Sequence, residues 1–213
     1  MKMENGSLKG DFETLRSQNT RGELGKAIAA AIKDYSPQDL KRMQWNFSGK
    51  IKNINPLYRR QLEKTINGHM VDTWEKIRLM SQQGSFTPMK EPLPEESGKY
   101  WTMVSKKCST GDFAKDKIRF LKYLLAGFCI FVQKIPPHPV GMTFPGGDKV
   151  QQIDGIYYCP VREKAGDVDS ALCPFCPAKQ TPGVGYLKPP REGSEHRKQE
   201  YLRNTFDFHH YNG

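Results

Sequence analysis

Apolar side chains recur every three or four residues through roughly the first two thirds of the chain, a spacing that predicts helices. Leu24, Ile28, Ala31 and Tyr35 mark an amphipathic helix over 21–35. Ser36-Pro37 then supplies a cap followed by proline at the first helical position. Leu40, Met43 and Phe47 give the second helix its inner face. Asn55-Pro56 repeats the start signal, and Tyr58, Leu62, Ile66, Met70, Trp74, Ile77 and Met80 form the longest apolar stripe. It predicts one helix to about Gln82, with Gly68 as its weak point and His69 half-buried beside the stripe. Residues 83–98 hold three prolines and two glycines and read as a surface loop.

Tyr100 to Val104 start a short helix or cover the core, and Thr110 to Asp112 cap the next one. The second half of that helix, Tyr123 to Val132, is apolar on every side. Such a helix is surrounded by protein, so 112–134 is the expected central helix, ended by Pro136-Pro137. Cys129, in its most apolar part, reads as a packing residue. The run is far shorter than the roughly 20 residues a membrane span needs, so a soluble cytoplasmic protein without a signal peptide is expected.

The periodicity changes after the prolines. Two β-prone runs, Lys149 to Ile153 and Ile156 to Val161, flank Asp154-Gly155, a strong hairpin signal. The expected architecture is mainly α, a helical domain (21–135) around the central helix. A small β-hairpin subdomain (136–178) follows it. Residues 1–20 are polar and read as a flexible start. Residues 179–213 read as an irregular tail with a short helix at 194–204 and aromatic anchors Phe206, Phe208 and Tyr211.

Charge and cysteines add the chemistry. The 213 residues carry a formal charge of +10. Residues 1–60 hold 12 Lys/Arg against 6 Asp/Glu. That basic half suits nucleic acid or another protein as partner, against the plainer reading of surface charge for solubility. Three of the five cysteines lie in the hairpin segment: Cys159 near the end of the second strand, then Cys173 and Cys176 at C-x-x-C spacing. Two thiolates at that spacing reach one ion from a single turn. A third thiolate and the imidazole of His138 complete the tetrahedron zinc prefers. Lys149 and Arg162 stand near enough in sequence to offset the negative charge. Rivals for the fourth place are Cys108, Cys129, His196 or a water.

The same thiols would suit an iron–sulfur cluster. A thiol redox motif needs a helix opening at C-x-x-C, which Pro177 opposes. The His-x-Glu of zinc deaminases is missing after His138, and Pro177 stands where a c-type haem motif has histidine. No catalytic triad or carboxylate pair can be placed, so the chain is not assigned as an enzyme. The leading reading is a scaffold or binding module with structural zinc. The alternatives are a metalloenzyme with an open three-cysteine site, or an iron–sulfur or thiol redox protein.

His138-Pro139-Val140-Gly141, Phe144-Pro145-Gly146-Gly147, Tyr157-Tyr158-Cys159-Pro160-Val161 and the Cys173 to Cys176 turn together resemble an uncharacterised archaeal family known mainly from methanogens. The resemblance implies an archaeal cytoplasmic protein and brings no activity with it.

Overall fold

A computed structural model describes residues 8–144, 147–163 and 172–182. Its helices are α1 (Lys9–Arg16), α2 (Arg21–Ile32), α3 (Pro37–Lys50), α4 (Pro56–Gln82), α5 (Glu96–Lys107) and α6 (Phe113–Gly127), the last continued by a π-helical turn, Phe128–Gln133. Strands β1 (Gln151–Ile153), β2 (Ile156–Cys159) and β3 (Lys179–Gln180) form one small sheet. The fold is thus mainly α with a small sheet toward the C-terminus. The chain divides into two compact units, Met1–Trp45 with Met70–Lys134, and Asn46–His69 with Ile135–Gly213.

In the first unit, helix starts follow side-chain chemistry. Thr20 caps α2 with a reciprocal box: its Oγ1 accepts from the Glu23 amide at 3.3 Å, while the Glu23 carboxylate accepts from the Thr20 amide at 3.0 Å. The Asn19 and Thr20 amides, more than any other group, hold the Glu23 carboxyl below its usual range. Ser36 and Asp39 make the equivalent exchange at α3, and Asp112 accepts from the Lys115 amide at α6.

Helix α6 and its π turn form the core of this unit. Phe120, Leu121, Tyr123, Leu124 and Val132 are wholly buried, and α2 and α5 pack against this element. Gly127 is needed there because a Cβ would stand 2.9 Å from the Trp101 ring. The helix stops at Lys134, which turns left-handed at φ 56°, ahead of the two prolines. The Arg21 guanidinium donates to the freed Val132 carbonyl at 2.7 Å and pairs with Glu91 at 2.7 Å. Cys129 is buried with its sulfur 3.8 Å from the Thr73 hydroxyl, in keeping with a packing role.

Three expectations are corrected. The start of the chain is not loose over residues 9–16: α1 packs on α5 and α2, burying Phe12 and Leu15. Leu8, Phe12 and Leu15 are spaced four and three apart, and Phe12 meets Phe120 edge-on at 4.9 Å, so apolar burial outweighs the polar composition. The 83–98 loop is shorter than expected, because α5 begins at Glu96 and runs a full 12 residues. Residues 179–180 are not irregular: they join β2 in parallel, Tyr158 opposite Lys179 and Cys159 opposite Gln180. Two residues carry no periodicity, so no sequence pattern announces this strand. The expected helix at 194–204 and the aromatics after it lie outside the described residues.

The expected hairpin forms in the second unit. β1 and β2 pair antiparallel around Asp154 and Gly155, whose φ values of 50° and 78° match the left-handed pair a tight two-residue turn requires. Among the described residues, no helix is long and apolar enough to cross a membrane.

Candidate metal centre

Cys159 closes β2 and is buried. Fourteen residues on, Cys173 to Phe175 make a single 3₁₀ turn, and the Cys176 amide donates to the Cys173 carbonyl at 3.0 Å. The chain then enters β3, which carries the C-x-x-C turn back alongside Cys159. The Thr181 amide donates to the Cys159 carbonyl at 3.1 Å, and the Gln180 side chain donates to the Pro160 carbonyl at 2.9 Å. Arg162 fastens the two segments, its Nε donating to the Ala178 carbonyl at 3.1 Å.

These bonds bring the three thiols into one neighbourhood, close enough for Cys176 to act on the ionisation of Cys159 and for both to act on that of Cys173. Burial pushes the Cys159 thiol up to about 11, with Cys176 adding to the rise. Burial pushes Cys173 up to about 12, with Cys159 and Cys176 adding to it. Cys176 is raised by burial too. Two influences oppose this. The Val161 amide donates to the Cys159 sulfur, and the Ala178 amide to the Cys176 sulfur, each from two residues ahead. The Arg162 guanidinium favours the thiolate at all three cysteines. Amides aimed at sulfur and a nearby cation stabilise the form that binds metal.

His138 is buried just after Pro136 and Pro137, its ring meeting Phe144 edge-on at 6.1 Å. The loop that follows is a bonded hairpin of its own, with the Gly141 amide donating to Val150 and the Val150 amide to Met142. The Tyr58 hydroxyl donates to the Thr143 carbonyl at 2.9 Å. Lys149 is exposed and bridges to Thr143. The structure therefore gathers Cys159, Cys173 and Cys176 and sets His138 against Phe144. Among the described residues, no three His, Cys, Asp or Glu side chains are arranged to hold a metal ion. Among the rivals, Cys108 caps α5 and is buried, Cys129 lies in the π turn, and His196 is outside the described residues.

One signal for the thiol neighbourhood is a repeated dipeptide. Cys159, Cys173 and Cys176 are each followed by proline, and in two of the three the amide just past the proline turns back to the sulfur. Proline has no amide of its own, so that second amide is the first one available.

Residues 20–181 match the family described as uncharacterized protein conserved in archaea, DUF2115, a span that includes His138 and the three cysteines. A UPF0305 protein of Methanopyrus kandleri is 34% identical over 98 residues, covering 44% of this chain and 69% of that protein. One from Methanocaldococcus jannaschii is 25% identical over 167 residues, covering 74% and 94%. One from Methanothermobacter thermautotrophicus is 48% identical over 52 residues, covering 24% and 34%. No solved structure gives a significant match. With most of its length inside the family's span, the chain belongs to this uncharacterized archaeal family.

Proposed function

We propose that Cys159, Cys173 and Cys176 hold one zinc ion, with His138 as the fourth ligand, and that the centre is structural. The observation that carries this reading is the proximity of three thiols, Cys159 and Cys173 buried and Cys176 half-buried, two of them accepting backbone amides at sulfur and all three sensing Arg162. Zinc favours such a sulfur-rich donor set and returns folding free energy to the segment that supplies it. Strand β1 is exposed along its whole length, so the hairpin gains little from burial on that strand. The work of the protein is then that of a scaffold or binding module. The excess of Lys and Arg in residues 1–60 supports nucleic acid as the partner, with another protein as the alternative.

Elemental analysis of protein purified without oxygen tests the centre. One zinc per chain, absent from Cys173→Ser, supports it. Visible absorption with iron and sulfide would replace zinc by a cluster. A metal-free protein with full stability would end the reading. His138→Ala separates a closed site from an open one: loss of both metal affinity and thermal stability marks a ligand. An unchanged melting point with metal retained marks a three-cysteine site with a free fourth position, the geometry a metalloenzyme needs. Binding to single-stranded and double-stranded oligonucleotides, followed across salt, tests the partner. A steep fall of affinity with salt is expected, and no binding at low salt excludes nucleic acid.

A further inference from the structure

Trp45 is the most exposed large apolar side chain among the described residues, at 78%. The chain has three tryptophans, and the other two, Trp74 and Trp101, are buried. A tryptophan left in water forgoes the burial that this residue, more than most, stands to gain. Trp45 stands on α3, five residues after Leu40 and two after Met43, both buried. At 3.6 residues per turn, that spacing sets the indole on the side of the helix away from its buried stripe.

Lys41 and Arg42 precede Trp45 by four and three residues, so they share its face of the helix. Both are exposed, as is Gln38 one turn further back. Among the described residues, neither cation takes part in an ion pair. The carboxylate nearest in sequence, that of Asp39, is engaged elsewhere. It accepts from the Ser36 amide at 2.8 Å at the start of α3 and pairs with Lys117 of α6 at 3.5 Å. Trp45, Lys41, Arg42 and Gln38 all belong to the first unit. Its α3 surface therefore presents one open aromatic ring beside two cations.

We propose that Trp45 stacks on a base of single-stranded nucleic acid, with Lys41 and Arg42 on the flanking phosphates. This rests on the nucleic-acid reading above and names the form of the strand and where it is held. Stacking needs a base with a free face, and a duplex covers that face with neighbouring pairs. Arg42 and Lys41 add the phosphate attraction that follows from counterion release. A helix lying on a membrane would need a broad apolar face, whereas the exposed neighbours of Trp45 on this face are two cations and an amide. No cysteine takes part, so the zinc centre is tested separately.

Tryptophan fluorescence of the full-length chain tests it, because Trp74 and Trp101 are buried and quenching by a stacked base falls on Trp45. Oligo(dT) or oligo(U) of about a dozen nucleotides should bind at low salt and quench the emission. A duplex of the same length should bind more weakly and quench less. By anisotropy of a labelled strand, Trp45→Ala should bind about tenfold more weakly, and Trp45→Phe should keep most of the affinity. The double variant Lys41→Ala, Arg42→Ala should flatten the log–log salt slope by about 1.4, two phosphate contacts at about 0.7 each. Leu79→Ala, at another exposed apolar position of the same unit, should bind as the parent does. Melting temperatures confirm that the variants fold. Binding without quenching, full affinity in Trp45→Ala, an unchanged salt slope, or a duplex bound as tightly as the single strand overturns this proposal and leaves the wider nucleic-acid reading in place. No binding to any oligonucleotide at low salt overturns both. Phosphatidylserine vesicles that shift the Trp45 emission to the blue, with no oligonucleotide bound, would assign the face to a membrane instead.

Discussion

Cys108 and Cys173 are buried to nearly the same degree, 3% and 4% exposed, and burial pushes both thiols up to about 12. Their surroundings part company there. Cys108 ends α5 in the first unit, and after burial its thiol answers to Arg119, Asp116 and Lys122, with no second sulfur involved. Cys173 opens a turn in the second unit, and its strongest influence after burial is Cys159, followed by Cys176. One thiol fills space in a helical core. The other belongs to a cluster. Burial by itself therefore does not mark a functional cysteine; what else surrounds the sulfur does.

The two regions also differ in what holds them. Around α6 the answer is apolar packing. Phe120→Ala should cost about 3–5 kcal/mol, because it empties a wholly buried ring position against Phe12. Urea unfolding measures it, and a chelator should leave that cost unchanged. A large chelator effect on the cost would break the contrast.

The next largest effect is a pH dependence. The thiols of Cys159, Cys173 and Cys108 lie above their ordinary value of 9.0 when folded. The folded chain thus keeps protons that the unfolded chain gives up. This stability is complete below about pH 9 and is lost as pH rises through the folded values of about 11 for Cys159 and about 12 for Cys173 and Cys108. Cys159 accounts for on the order of 2–3 kcal/mol of it. If zinc holds the Cys159 and Cys173 thiolates as proposed, it should remove the part owed to them and spare the part owed to Cys108. Unfolding midpoints across alkaline pH, with and without chelator, report the difference. Identical curves would mean that zinc does not reach the cluster.

The smallest is a local effect in the helical unit. Thr20→Ala removes the hydroxyl half of the capping box and should cost about 1 kcal/mol in the unfolding free energy. Thr20→Ser should restore most of it. A cost several times larger would show that this end of α2 relies on more than its cap, for example on Gly22, whose amide donates to Met89 at 2.9 Å.

Much of the helical part was legible because helix formation is local. Asn55 and Pro56 mark the start of α4, with the Asn55 side chain accepting from the Leu57 amide at 2.9 Å, and the stripe from Tyr58 to Met80 runs nearly to its end. Asp154-Gly155 marks the hairpin for the same reason, since both residues must take positive φ. The short helix α1 was masked by its polar neighbours.

The residue sequence on its own determined the helices, the hairpin and which cysteines belong to one segment, because propensity, capping and turn chemistry act over a few neighbouring residues. The tertiary structure alone decided that Cys173 and Cys176 return to Cys159 through the parallel strand β3 and the Arg162 bonds. It alone set His138 against Phe144. Those outcomes depend on contacts between segments far apart in the chain, and the free energy that selects them comes from burial and hydrogen bonds made only once the chain has closed on itself.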